Sequence, residues 1–533
     1  MKVKARGLRW LLGTALVGFC LLLSGAVLNP DKNYLLAVLL VMGAVALYFL
    51  QVFTIADRNW LDFRAVFSGV WLGTIGLAAL RFAEYQKVWQ SKTWFLLALA
   101  YLMLEVGVTL GLKLAPAICD KVVSGAKKLR VGKLYLKMHP NRLFGICMVT
   151  TLIGLCCFSI NIAIKGFVPA FSDIFNAYTV FYTKFHVFSV AAVAAAPLCY
   201  YCIATQPLSI VKKIILGLCI FYLVFAFPIL AVSRGVFIVA ALGLAVSVYY
   251  IHGKRLWILI LCIAMIGAGY LFASELRNYT DEQMTIFFQP AQITLPGVIE
   301  PTSSATVAEA TEVTGVPEGT TEATGVPEET TEVTVVPEGT TETTGVPEGT
   351  GEGETGIEGS TPDGPVQTPV RTFSLPPKLA FLYSYITVSH DNFNEAVMHV
   401  TDHTMGARQM APFNVILRSQ KIQEKASTVP FHQVTPLLNT INLIGDFFYD
   451  FGAWGVGVCM LLWSVVFGVL QGVYDKSKNI FVMFILGNTM VPVAMSFFSP
   501  FMSNFTHWMI WGVALLMAVA AYLSFIPQEN KKR

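Results

Sequence analysis

Charge is scarce in this sequence. Only 13% of its 533 residues are Asp, Glu, Lys or Arg, against 55% hydrophobic residues and a mean hydropathy of +0.62. Soluble domains carry roughly 25% charge. So little charge excludes an ordinary soluble enzyme, because one water-exposed globule cannot hide that much apolar surface. Recognisable catalytic signatures are scarce as well. No Walker loop, dinucleotide fingerprint, HExxH helix or nucleophile elbow stands in a convincing context. Cysteine is missing where a disulfide framework would need it. Of ten cysteines, nine lie in apolar runs and Cys119 lies in a basic loop, and none is in the long polar segment. They read as small buried hydrophobes. Finally, residues 300–363 contain no Lys or Arg but 15 acidic residues. Without that stretch the chain carries 37 basic against 18 acidic residues, so a formal charge of +4 conceals a basic body and one acidic insert.

What is present is a series of long apolar runs. A membrane-spanning helix needs about 20 mostly apolar residues. Twelve runs meet that standard, near 10–28, 34–53, 65–82, 93–112, 143–164, 186–204, 214–232, 235–251, 256–274, 451–474, 480–498 and 505–526. The first has a basic flank like a signal peptide, but its length and the spans that follow make it a retained helix. Lys and Arg alternate between the connecting loops. With the N-terminus in the cytoplasm, the inner loops hold Arg58 and Arg64, eight basic residues between Lys113 and Arg142, Lys212 and Lys213, Lys254 and Arg255, Lys476 and Lys478, and the tail. The outer loops hold few. The positive-inside rule therefore predicts both termini inside and residues 275–450 outside. Topology also explains the basic loop 113–142 better than nucleic-acid binding does.

The expected class is an all-α, polytopic integral membrane protein. About 12 transmembrane helices are divided as 1–274 and 451–533, and one large outer loop spans 275–450. Within that loop, 311–350 are four decapeptides, TEVTGVPEGT, TEATGVPEET, TEVTVVPEGT and TETTGVPEGT. The unit has almost no large apolar residue. It cannot offset the entropy of ordering, so 301–370 is expected to be a disordered insert, either a mucin-like glycosylated or spacer stretch or a tolerated expansion. Residues 371–450 are expected to form a helical cap on the outer face.

Several polar residues stand where chemistry would need them. Arg234, in SRGVFIVAALG, lies at a junction of two spans with no polar loop around it. A guanidinium there either grips an anion or reaches out to lipid headgroups. Gly235 beside it permits close approach of a ligand or neighbouring backbone. Arg277, Arg408 and Arg418 are also outside and could join Arg234 in an anion site. Asp446 and Asp450 straddle GDFFYDFG four residues apart, on one helical face; each is a candidate general base or an interfacial helix-end charge. His399 and His403 share the same spacing, which on a helix suits a metal, but no third ligand is specified. Glu105 falls within the fourth span, and Asn161 and Asn488 within others. Glu105 is either a proton-coupling group or a hydrogen-bonding link between helices.

GFVPAFSD after the fifth span, SRG at the seventh–eighth junction, ELRN after the ninth, YSYITVSHDNFNEA, and NTINLIGDFFYDFGAWGVG entering a late span resemble the O-antigen or oligosaccharide repeat-unit polymerases (Wzy-type). The resemblance runs from about residue 150 to 475. It implies a membrane glycosyltransferase acting on polyprenyl-pyrophosphate-linked oligosaccharide, with Arg234 and Arg277 holding the pyrophosphate and Asp446, Asp450 or His432 serving as base. It implies membrane lipid, a chain-length regulator and a flippase as partners. No cofactor, protein metal site or nucleic-acid partner is expected from the residues. The related ligases carry a His–Asn pair where this chain reads Asn439, Thr440, Ile441, so the family's histidine is absent. Two alternatives stand beside the polymerase: a transporter or flippase for lipid-linked oligosaccharide, and a ligase moving finished glycan. Against a transporter, the two halves show no internal repeat of hydropathy.

Overall fold

The computed structural model describes residues 5–29, 33–56, 58–83, 85–128, 140–172, 180–181, 183–275, 377–417, 419–435, 438–500 and 505–523. They belong to one compact unit, Met1–Gln292 with Ser374–Arg533. The repeat insert, Arg277 and Arg418 lie outside the described residues.

All regular structure among the described residues is helical. In chain order the long elements are α1 (Ala5–Leu28), α2 (Asn33–Thr54), α3 (Phe63–Ala79), α4 (Ser91–Lys128), α5 (Pro140–Lys165), α6 (Lys184–Thr205), α7 (Ile210–Leu230), α8 (Arg234–Ile251), α9 (Leu256–Glu275), α10 (Pro377–His399), α11 (Leu443–Ser477), α12 (Ile480–Ala494) and α13 (Phe505–Leu523). Seven of these, α2, α4, α5, α6, α7, α8 and α11, are long and apolar enough to cross a membrane. The shorter apolar helices within α1, α3, α9, α12 and α13 fall on the five remaining runs read from the sequence. Leu, Ile, Val and Phe side chains stay exposed along α1, α2, α5 and α9. Such surfaces suit lipid rather than water. The cysteines are all free. Cys147, Cys199, Cys202 and Cys219 are buried as expected, whereas Cys20 and Cys156 are exposed among those apolar faces.

The most extensive helix pair is α4 with α11. Small residues let it form: a side chain on Gly111 would strike the Val465 carbonyl, and one on Gly468 would strike the Val108 carbonyl. Lipid tails supply no hydrophobic drive between helices, so close backbone approach of this kind carries the association. Loops then gather at two ends. At one end Asn59 Nδ2 donates to Tyr250 Oη at 3.3 Å, the Trp60 amide donates to Tyr249 Oη at 2.9 Å, and Lys476 pairs with Asp120 at 2.6 Å. At the other, Asn29 Nδ2 donates to the Trp89 carbonyl at 2.8 Å, the Phe82 amide to Tyr383 Oη at 3.1 Å, and the Leu443 amide to the Ser496 carbonyl at 2.8 Å.

α10 differs from the surface cap expected at 371–450. Its polar run Ser389–Glu395 is buried against α3, α4 and α11. His390 accepts from Asn442 Nδ2 at Nδ1 (3.2 Å), which leaves Nε2 to donate to Thr74 Oγ1 (3.0 Å). Burial pushes this imidazole down to about 3, so it stays neutral. Asp391 accepts from Trp89 Nε1 at 2.8 Å and Gln86 Nε2 at 2.9 Å; burial nevertheless pushes its carboxyl up to about 7. Asn392 Nδ2 donates to the carbonyls of Leu438 and Thr440, both at 2.7 Å, and its Oδ1 accepts from the Val434 amide at 2.8 Å. The buried polar side chains thus hold Val434, Leu438 and Thr440 in place. An unmet partner in such a dry network costs about 1–3 kcal/mol.

Candidate functional site

The site is organised by a break in α11. Gly452 has φ +63° and ψ −149°, outside helical geometry, and divides the helix into two runs. A side chain there would need the left-handed region and would meet His403 Nε2 at 2.6 Å, so glycine is required twice over. The break frees carbonyls that a continuous helix would consume. The Tyr449 carbonyl accepts from the Thr404 amide at 3.0 Å, and the Asp450 carbonyl from the Met405 amide at 2.8 Å. The Asp450 carboxylate continues the clamp. It accepts from Thr404 Oγ1, from the Arg408 amide at 3.0 Å and from the Gln409 amide at 2.9 Å, capping the short helix Ala407–Met410.

This clamp fixes Arg408. Its guanidinium lies 4.3 Å from the centre of the Tyr449 ring and 5.8 Å from that of Phe431, and its Nε is 3.5 Å from Asp446 Oδ1. Asp446 sits in the first turn of α11, almost fully buried, with Gln409 Nε2 at 3.4 Å from its other oxygen. Arg408 and Asp446 face a cavity of about 880 Å³. Gln433, Asn439, Thr440 and Ser499 add amide and hydroxyl groups to its wall, and Phe431 and Phe505 add ring faces. The size falls within the range of small-molecule sites, about 300–1,000 Å³. A cation, a carboxylate, four neutral polar side chains and two aromatic faces suit a ligand with phosphate, hydroxyls and apolar ring faces.

The residues singled out in the sequence separate here. Asp446 and Arg408 line the cavity. Asp450, on the same helical face, does not: it is fully buried and both oxygens are occupied by three donors, so it anchors the loop rather than standing free as a base. His432 flanks the cavity between two lining residues. Its amide donates to Tyr449 Oη at 2.8 Å, and its ring stacks on His399 at 5.3 Å. Arg234 begins α8, only 5% exposed, and donates to Tyr385 Oη at 3.1 Å. That burial does not fit a side chain reaching to headgroups. Tyr385 stacks on Phe498, beside the lining residue Ser499, but Arg234 itself is not on the cavity wall. Gly235 is exposed, with nothing within 4 Å of where a side chain would start, so no protein backbone demands the glycine. The His399/His403 pair does not form a helical face, because α10 ends at His399 and His403 packs on Phe448. Among the described residues no group of three or more His, Cys, Asp or Glu could hold a metal ion.

Gln433 and Ser499 carried no signal in the sequence. Asn439 and Thr440, named from the sequence, are on the cavity wall. Neither family models, curated proteins nor solved structures give a match to this chain.

Proposed function

We propose that this chain is a membrane glycosyltransferase that joins polyprenyl-pyrophosphate-linked oligosaccharide units on the outer face of the cytoplasmic membrane. The observation that carries the reading is the cavity in which Arg408 and Asp446 stand together, at the end of α11 opposite the Lys476–Asp120 pair. In this reading the seven long apolar helices and the five shorter ones are twelve spans, both termini are cytoplasmic, and the 377–442 segment lies outside.

The chemistry follows from the two side chains. The acceptor hydroxyl oxygen attacks the anomeric carbon of the donor sugar, and the bond from that carbon to the pyrophosphate oxygen breaks with its electron pair. The negative charge grows on the leaving pyrophosphate, where a guanidinium's planar fork can bind two oxygens. The proton of the acceptor hydroxyl passes to Asp446, which acts as general base. Asp450 and the aromatic rings hold Arg408 in position, and the amides and hydroxyls of Gln433, Asn439, Thr440 and Ser499 take sugar hydroxyls. Arg408 thus fills the role that the resemblance gives to Arg234. In this reading Arg234, which contacts Tyr385 and through it Phe498, supports the wall from behind.

Deleting the gene and separating surface glycan on a gel tests the class. A polymerase gives a ladder that collapses to one repeat unit. A flippase gives loss of all exported glycan, and a ligase gives polymer retained on its lipid carrier. The insert should be dispensable for this activity. Removing residues 301–366 is expected to leave the glycan length distribution as in wild type, since the segment has the composition of an unfolded chain. Loss of polymer at normal protein level would show that the insert takes part.

A further inference from the structure

A second cluster of buried charge lies away from the cavity, inside the bundle. Asp62, Arg64 and Glu105 are 1%, 2% and 0% exposed. Asp62 and Arg64 form a closed pair: Nε to Oδ1 and Nη2 to Oδ2 are both 3.0 Å, the Arg64 amide adds a donor to Oδ1 at 3.1 Å, and Gln471 Nε2 adds one to Oδ2 at 2.7 Å. The pair cancels its own charge, leaving Glu105 as the odd acid.

The donors around Glu105 can be counted. Gln51 Nε2 donates to Oε1 at 2.6 Å. Ser68 gives its one hydroxyl proton to Gln51 Oε1 at 3.0 Å. The Ser68 and Tyr101 hydroxyls are 2.8 Å apart and share one further hydrogen bond. Glu105 Oε2 is buried and meets no hydrogen-bond partner in this geometry. An ionised carboxylate with a bare oxygen in a dry interior is very costly. The charged or titratable groups facing it are Arg64, Asp62 and Tyr101; Gln51, Ser68 and Gln471, from α2, α3 and α11, are neutral.

We propose that Glu105 is a proton-binding site, carrying one proton on Oε2 at neutral pH. Uptake converts the carboxylate and one proton into a neutral carboxylic acid, and the cluster of two acids and one base then has no net charge. The site makes the packing of α2, α3, α4 and α11 depend on proton occupancy. It is independent of the reading of the outer cavity.

Infrared absorption of the purified full-length protein reads the site directly. The difference between wild type and Glu105→Gln isolates the Glu105 signal from other buried carboxyls, Asp391 among them. The expected result at pH 7 is a carboxylic-acid carbonyl band, with no ionised carboxylate band. The charge count makes a second demand. In an Asp62→Asn background the cluster holds one acid and one base, so Glu105 should ionise and the acid band should vanish although Glu105 remains. Thermal unfolding covers the case in which Asp62→Asn does not fold. Glutamine replaces a neutral acid with little change, so Glu105→Gln should keep its Tm within roughly 2 °C. A carboxylate band in wild type, an acid band that persists in the Asp62→Asn background, or a large fall in Tm for Glu105→Gln would each overturn the proposal.

Discussion

Asp446→Asn is expected to abolish polymer while the protein remains in the membrane at its normal level. Asparagine keeps the shape of the side chain and its contact with Gln409, but cannot take a proton from an acceptor hydroxyl. Loss of a positioned general base costs on the order of 10²–10⁴ in rate. Long chains need many additions, so such a loss removes them entirely. Asp450→Asn makes the contrasting case. Its carboxylate accepts from Thr404, Arg408 and Gln409 and is closed to the cavity. Its loss should loosen the 404–409 loop, lower the thermal stability, and reduce activity in proportion to the displacement of Arg408. The comparison is read from surface glycan gels and detergent-solubilised melting curves of the two variants. Full-length glycan from Asp446→Asn would remove Asp446 as the base and leave His432, next to the cavity, as the remaining candidate.

The second large effect is expected for Arg408→Lys. Lysine keeps the positive charge but loses the planar fork, and it stacks less well on the Tyr449 ring. If Arg408 merely balances Asp446, the change should be nearly silent. If it holds the leaving pyrophosphate, the cost is about 3 kcal/mol of transition-state stabilisation, or on the order of a hundredfold in rate. The modal glycan length should then collapse to a few units. An unchanged length distribution would take Arg408 out of the reaction. Arg234→Lys supplies a useful comparison, since Arg234 bonds Tyr385 and does not line the cavity, and should give a smaller effect than Arg408→Lys.

The helices were legible because apolar run length is a local property. All twelve runs read from the sequence carry apolar helices, although only seven are long and apolar enough to cross a membrane by themselves. The candidate site was legible in part. The spacing of Asp446 and Asp450 correctly placed them on one helical face, but spacing could not assign their different roles. Those roles depend on the break at Gly452 and on a loop some 40 residues earlier in the chain, whose amides reach Asp450. Arg408 could not be separated from the other candidate arginines for the same reason. The burial of the run Ser389–Glu395 was not legible, because nothing in its own pattern announces Trp89, Gln86 or Thr74 as partners. Gln433 and Ser499 are ordinary residues for a polar loop, and only the fold turns them toward one cavity.

The most direct measurement uses the purified protein in liposomes supplied with polyprenyl-pyrophosphate-linked oligosaccharide and no other protein. The products are separated by size. Wild type should convert single units into a ladder of lipid-linked polymers with release of polyprenyl pyrophosphate, and Asp446→Asn should leave single units only. Single units remaining unchanged with active, folded wild-type protein, or moved across the bilayer without being joined, would contradict the account.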